Sequence, residues 1–244
     1  MDTVTNLNQP NHLVKIVTTC PAILKIILKP LKNIFDNLVL KFVGTSDELT
    51  ARIMILGFSQ DLTKHCNLKL TKYGFDEYYC SEKGLAVGFN IKTLYDCIRL
   101  ANDSDKVTLT INNINNANEE IGHLNIQISN QNGTDVNYNI LLKRPGNMKL
   151  PTYSLFDSLF ELNFNQFMEL LLNDHPSTHN EISSKDFNLL KPMIEFKDLF
   201  AFNKYYLMTN KVKIYIKNDS DIKSFIVFDF DESGHLYIAD IDQS

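Results

Sequence analysis

The sequence predicts an α+β protein of two similar halves, residues 12–143 and 153–244, joined by a connector at 144–152. Three observations predict it. Short runs of alternating apolar and polar residues recur at the spacing of strands in antiparallel sheets. A few longer segments repeat their apolar residues every three to four positions, as helices with one buried face do. The chain also repeats itself: 90–111 lies over 195–216 without a gap. Lys92 meets Lys197, Leu94 meets Leu199, Lys106 meets Lys211, Val107 meets Val212 and Ile111 meets Ile216. Both copies read as helix, short break and alternating strand, the mark of a duplicated unit.

Taken in order, His12–Val17 alternates as a short strand. Thr18 and Thr19 offer an N-cap, Pro21 fits a first helical turn, and an apolar-periodic segment runs to about Asn37. Pro30 lies inside that helix, removes one backbone hydrogen bond and predicts a kink. Strand-like runs follow at 38–43, 51–57, 66–71 and 76–80, with Gly74 and Gly84 in turns. A second helix is expected at 91–101, then strands at 106–111, 123–129 and 136–143, separated by Asn-rich loops. The connector 144–152 carries two prolines, a glycine and little periodicity. Beyond it the pattern predicts a strand at 153–162, a helix at 164–173, a polar stretch at 174–186 and a further strand. A helix at 197–208, two strands ending at Gly234 and a final strand complete the chain.

Composition narrows the function classes. Lys and Arg number 24 against 29 Asp and Glu, a net charge of −5, which argues against holding nucleic acid by bulk charge but leaves room for local basic stripes. Mean hydropathy is −0.16, and no apolar run nears the ~18 residues of a membrane helix, so no membrane partner is expected. The N-terminal residues lack a secretory pattern. Cys20, Cys66, Cys80 and Cys97 form no Cys-x-x-Cys and read as reduced thiols of an intracellular protein.

Catalytic motifs are missing. The nine glycines form no phosphate-binding loop, and neither H-E-x-x-H nor G-x-S-x-G occurs. His65 and Cys66 are adjacent in a strand, so they point to opposite faces and cannot share a metal. His175 and His179 fall in a polar stretch, and Asp231–Gly234 reads as a tight turn with acidic flanks. Neither an enzyme nor a cofactor is expected.

Several local motifs carry a resemblance. Tyr73-Gly-Phe-Asp-Glu-Tyr-Tyr-Cys80, Leu85-Ala-Val-Gly-Phe-Asn-Ile91 with the helix after it, residues 22–36, and Gly234-His-Leu236 with the following strand resemble the DNA sliding clamp family, proliferating cell nuclear antigen. The resemblance is collinear over about 12–174 and 187–242. It implies two clamp domains of paired β-α-β-β-β units, antiparallel sheets outside and helices lining the inner face of a three-subunit ring. The implied function is that of a polymerase processivity factor in DNA replication and repair. Implied partners are double-stranded DNA, a DNA polymerase and other clamp-binding proteins, and a clamp loader. The implied place is the nucleus, or a viral factory for a viral protein.

Residues follow from both lines. Lys25, Lys29 and Lys32 are spaced i, i+4, i+7 on one helical face, opposite Ile23, Ile27, Leu31 and Ile34. A solvated face would show the same spacing; the resemblance makes it a DNA-facing stripe, with Arg99, Lys197 and Lys204 at corresponding positions. Asp96, Glu169 and Leu172 stand where the family is usually basic, which thins the lining. The strand at 123–129 matches the family's edge strand, so Leu124, Ile126 and Ile128 are expected at the subunit interface. The resemblance places a partner-peptide pocket at Phe58, Leu150, Pro151, Ile238 and Ile241. Between Asp174 and Ile182 the family carries about three strands that eight residues cannot supply. That shortfall keeps a second reading open, a clamp-fold accessory or transcription factor that forms no ring.

Overall fold

The computed structural model describes residues 12–44, 51–81, 84–112, 122–145, 160–172, 205, 207–209, 211–216 and 222–241; within them the side chains at 160, 170–172, 216, 222–225, 240 and 241 are left aside. The elements in chain order are β1 (His12–Thr18), α1 (Pro21–Ile34), β2 (Asn37–Val43), β3 (Arg52–Phe58), β4 (Lys64–Thr71), β5 (Glu77–Cys80), β6 (Leu85–Asn90) and α2 (Ile91–Ile98). There follow β7 (Lys106–Asn112), β8 (His123–Ser129), β9 (Asp135–Leu141), β10 (Phe160–Asn163), α3 (Phe164–Leu172), β11 (Lys211–Ile216), β12 (Ile222–Asp229) and β13 (Gly234–Ile241). The α+β architecture read from the sequence is the one found.

Among the described residues the strands form two antiparallel sheets, one ordered β5-β1-β7-β8-β9 and one ordered β10-β11-β12-β13-β4-β3-β2-β6. The larger sheet draws strands from both ends of the chain. Its seam is β13 on β4, seven register pairs from Gly234↔Leu70 to Asp240↔Lys64. The first sheet (Val14, Ile16, Ile126), the second (Phe42, Ile55, Leu68, Phe228, Ile238) and the helices (Ile27, Leu31, Leu94, Phe167) share one core. Each such side chain stabilises by roughly 1.5–3 kcal/mol when fully buried. Tyr205, wholly buried, joins the halves. Its hydroxyl donates to the Ile27 carbonyl at 3.0 Å, and its ring meets Phe228 and Phe230 edge-on at 5.2 and 5.6 Å.

Some local expectations change. The N-cap of α1 is Cys20, not a threonine, and no side chain caps it. Thr18 Oγ1 accepts from the Cys20 amide, while the Thr19 amide donates to Asp76. The helix continues through buried Pro30 to Ile34. Its core stripe is Leu24, Ile27, Leu28 and Leu31, and Ile23 is exposed, so the apolar face is rotated from the one expected. β6 was not among the expected strand runs: Val87, Gly88 and Phe89 are all buried, and without alternation the periodic signal fails. α2 stops at Ile98, with Asn90 capping it by accepting from the Thr93 amide at 3.0 Å. Of the repeated segment, Lys106–Ile111 and Lys211–Ile216 are both strands; the expected helix at 197–208 lies largely outside the described residues. Among the described residues no helix is long and apolar enough to cross a membrane.

Candidate functional site

The two helices of the first half pack against each other and share a polar surface. On it lie Lys25, Lys29, Lys32 and Arg99. Lys25 is only 22% exposed; its Nζ lies 2.8 Å from the Ala101 carbonyl oxygen and 2.9 Å from Asp103 Oδ1. Lys32 Nζ sits 4.2 Å over the Tyr95 ring. Arg99 Nε is 3.1 Å from Asp96 Oδ1, and Lys92 Nζ is 2.5 Å from Asp36 Oδ1. Lys29 is exposed and has no partner among the described residues. The lysines thus share a surface, but their charges differ in availability. Lys25 ties α1 to the chain after α2, whereas Lys29 is open to an incoming phosphate. Exposed ion pairs of this kind are worth about 0–1 kcal/mol, so an anion can compete for Arg99. Lys197 and Lys204 lie outside the described residues.

The expected interface strand is corrected. β8 is not an edge: β7 pairs with it on one side and β9 on the other. Leu124, Ile126 and Ile128 are buried in the main core, where another subunit could not reach them. Alternation records which side chains face the core; it carries no information on which strand ends the sheet. Among the described residues this sheet ends in β5 on one side and β9 on the other, and on β9 Val136 and Leu141 remain 44% and 60% exposed.

The partner pocket is corrected in part. Ile238 faces the main core, 3% exposed and opposite Cys66 in register. Strand alternation therefore turns Tyr237 and Ala239 to the sheet's other face. There they form a small second cluster with Val227 and Tyr215. Phe58 packs against His65 with ring centroids 4.8 Å apart and planes tilted by 57°, and Phe58↔His65↔Ala239 is one cross-strand row. Leu56↔Asn67↔Tyr237↔Val227 is the next. Leu150 and Pro151 lie outside the described residues, and only the backbone of Ile241 is described, opposite Ile222. Burial lowers the His65 pKa to about 4, so its ring is neutral at physiological pH and serves as an aromatic wall. Sequence reasoning missed Tyr237, Ala239, Val227 and His65. The signal for the first two was the period of two running through β13 from Leu236.

The connector begins against this sheet: Gly88 and Lys143 exchange two backbone hydrogen bonds, at 2.7 and 2.8 Å. Gly88 leaves room for that approach, since a Cβ there would meet the Lys143 carbonyl oxygen at 3.3 Å.

Comparison with known proteins fits this geometry. The crystal structure of a PCNA2–PCNA3 complex from Sulfolobus tokodaii superposes with a TM-score of 0.65 at 12% identity, over 94% of this chain and 99% of that one. No curated protein matches the sequence. The family described as proliferating cell nuclear antigen, N-terminal domain, matches residues 13–144. That span holds α1, α2, the whole five-stranded sheet and half of the large one, and it places the chain in the proliferating cell nuclear antigen family of DNA sliding clamps.

Proposed function

We propose that the chain is a processivity clamp: it closes into a ring of three around duplex DNA and tethers a polymerase and other replication or repair proteins there. The observation that carries the reading is the α1–α2 surface, where exposed Lys29 accompanies Lys32 and Arg99, on a protein of net charge −5. A positive surface on an acidic body draws in the DNA backbone without reading sequence, as sliding requires. The neighbour from Sulfolobus tokodaii is a complex of two such chains. The role is a scaffold's, with no reaction.

Retention on closed circular DNA tests it. A ring stays on the circle through gel filtration at moderate salt and is lost once the circle is cut; equal loss from both would exclude encirclement. The lysines divide in their effects. Each phosphate contact contributes about 0.9 to the slope of log affinity against log salt. Lys29→Gln lowers that slope without moving the melting temperature. Lys25→Gln leaves the slope and lowers the melting temperature by a few degrees, because it unties Ala101 and Asp103.

Assembly is proposed through the open edge of β9. An edge strand with exposed aliphatics invites another strand to pair with it, and lysine there discourages pairing. Val136→Lys with Leu141→Lys should convert a species of about 84 kDa, three chains of 28.0 kDa, to one chain with the circular dichroism spectrum unchanged. A wild-type protein already monomeric at micromolar concentration would favour the non-ring accessory reading. The commitment of Lys25 and Arg99 to Asp103 and Asp96 also favours that reading.

A further inference from the structure

The contacts between α1 and α2 follow an antiparallel order. Lys25, near the start of α1, reaches Ala101 and Asp103 beyond the end of α2. Lys32 covers Tyr95 in the middle, and Asp36, beyond the end of α1, meets Lys92 at the start of α2. Along this line the cations come with carboxylates at contact distance. Asp103 Oδ1 is 2.9 Å from Lys25 Nζ, Asp96 Oδ1 is 3.1 Å from Arg99 Nε, and Asp36 Oδ1 is 2.5 Å from Lys92 Nζ.

The pairs differ in what they tie together. Lys92 and Asp36 bridge the two helices. Asp96 and Arg99 are three residues apart, both more than half exposed, and join only neighbouring turns at the end of α2. An exposed pair of that kind adds little stability. Asp103 is 80% exposed, and it duplicates a tie that the Ala101 carbonyl already makes to Lys25. What Asp96 and Asp103 share is position. Each carboxylate oxygen sits where a phosphate oxygen would have to sit to contact the same cation.

We propose that Asp96 and Asp103 compete with the DNA phosphates for Arg99 and Lys25, which keeps the face from gripping the backbone and lets it slide. The proposal rests on reading the α1–α2 surface as the DNA face, and it gives the acidic residues there a role in mobility. A phosphate reaches Arg99 or Lys25 only by displacing a carboxylate of like charge, and the displaced carboxylate then repels it at short range. Exchange of one anion for another leaves little net gain, so such a contact breaks as easily as it forms. Lys29, exposed about one helical turn from both Lys25 and Lys32, offers a contact that needs no exchange.

Equilibrium binding of the full chain to a short DNA duplex across a salt series tests this. Asp96→Asn and Asp103→Asn should each steepen the fall of log affinity against log salt by up to about 0.9, the value of one phosphate contact. At low salt each should tighten binding about three- to tenfold. Adding Arg99→Gln to Asp96→Asn should return the slope to that of wild type. Glu77→Gln changes the net charge equally and frees Lys15 from a 2.8 Å pair. Lys15 lies on the side of β1 opposite the core residues Val14 and Ile16, away from the helices, so this control should leave the slope unchanged. Wild-type slopes in both Asp variants, or a rise that Glu77→Gln reproduces, overturn the proposal; if Lys29→Gln still lowers the slope, the DNA face stands without it. A gain in Asp96→Asn that survives the loss of Arg99 also overturns it. If wild type and all the variants fail to bind the duplex at low salt, the DNA face has failed, and the proposal fails with it.

Discussion

Gly234→Val should leave little folded protein at 37 °C. Gly234 opens β13 with φ +132° and ψ −157°, a region essentially closed to residues with a side chain. A Cβ there would run into the backbone carbonyl of Lys69, which strand pairing holds in place. Strain of this kind costs of order 1–3 kcal/mol, and the collision adds to it. In a chain of this size each kcal/mol moves the melting temperature by roughly 2–4 °C, so a drop of about 10 °C or more is expected. Gly234→Ala should fall in the same direction by less. Thermal unfolding followed by circular dichroism reads both. A valine variant melting within 2 °C of wild type would mean that β4 and β13 can separate at this end without consequence.

Tyr205→Ala should rival it. Removing a buried aromatic ring typically costs about 3–5 kcal/mol, the lost transfer energy plus the cavity left behind. Here the cavity opens between Phe228, Phe230 and α1, and the Ile27 carbonyl loses its donor. Tyr205→Phe keeps the ring and removes only the hydroxyl, about 1–2 kcal/mol. The two variants separate packing from hydrogen bonding. If the phenylalanine variant loses as much as the alanine variant, the bond to Ile27 dominates; if it loses nothing, the ring alone holds the junction.

These two positions also show what the sequence could reveal. The alternation in β1, β2, β7 and β8 and the apolar period of α2 were legible, because each is set by neighbours a few residues away. Of the repeated segment, the strand halves Lys106–Ile111 and Lys211–Ile216 are both strands, while the helix expected in the second copy lies largely outside the described residues. What could not be read depends on distant partners. Ile126 alternates as any half-buried strand residue does, and only the arrival of β9 makes it interior. Ile238 and Ala239 are both apolar because both faces of β13 are covered, so hydrophobicity alone cannot assign their sides. Lys25 finds Ala101, 76 residues away, and no local pattern announces that contact. The site was legible as a set of segments and illegible as a set of facing side chains.

The seam between β4 and β13 has a mechanical consequence. Seven paired residues join the first half of the chain to its last strand, and Tyr205 bolts the underside of the sheet to α1. Bending the subunit at its middle would break main-chain hydrogen bonds in concert, which makes the sheet a stiff beam across the junction. An edge such as β9 offers no comparable resistance, because a strand added there can peel away one bond at a time. If the proposed ring forms, it should flex between its members rather than within them.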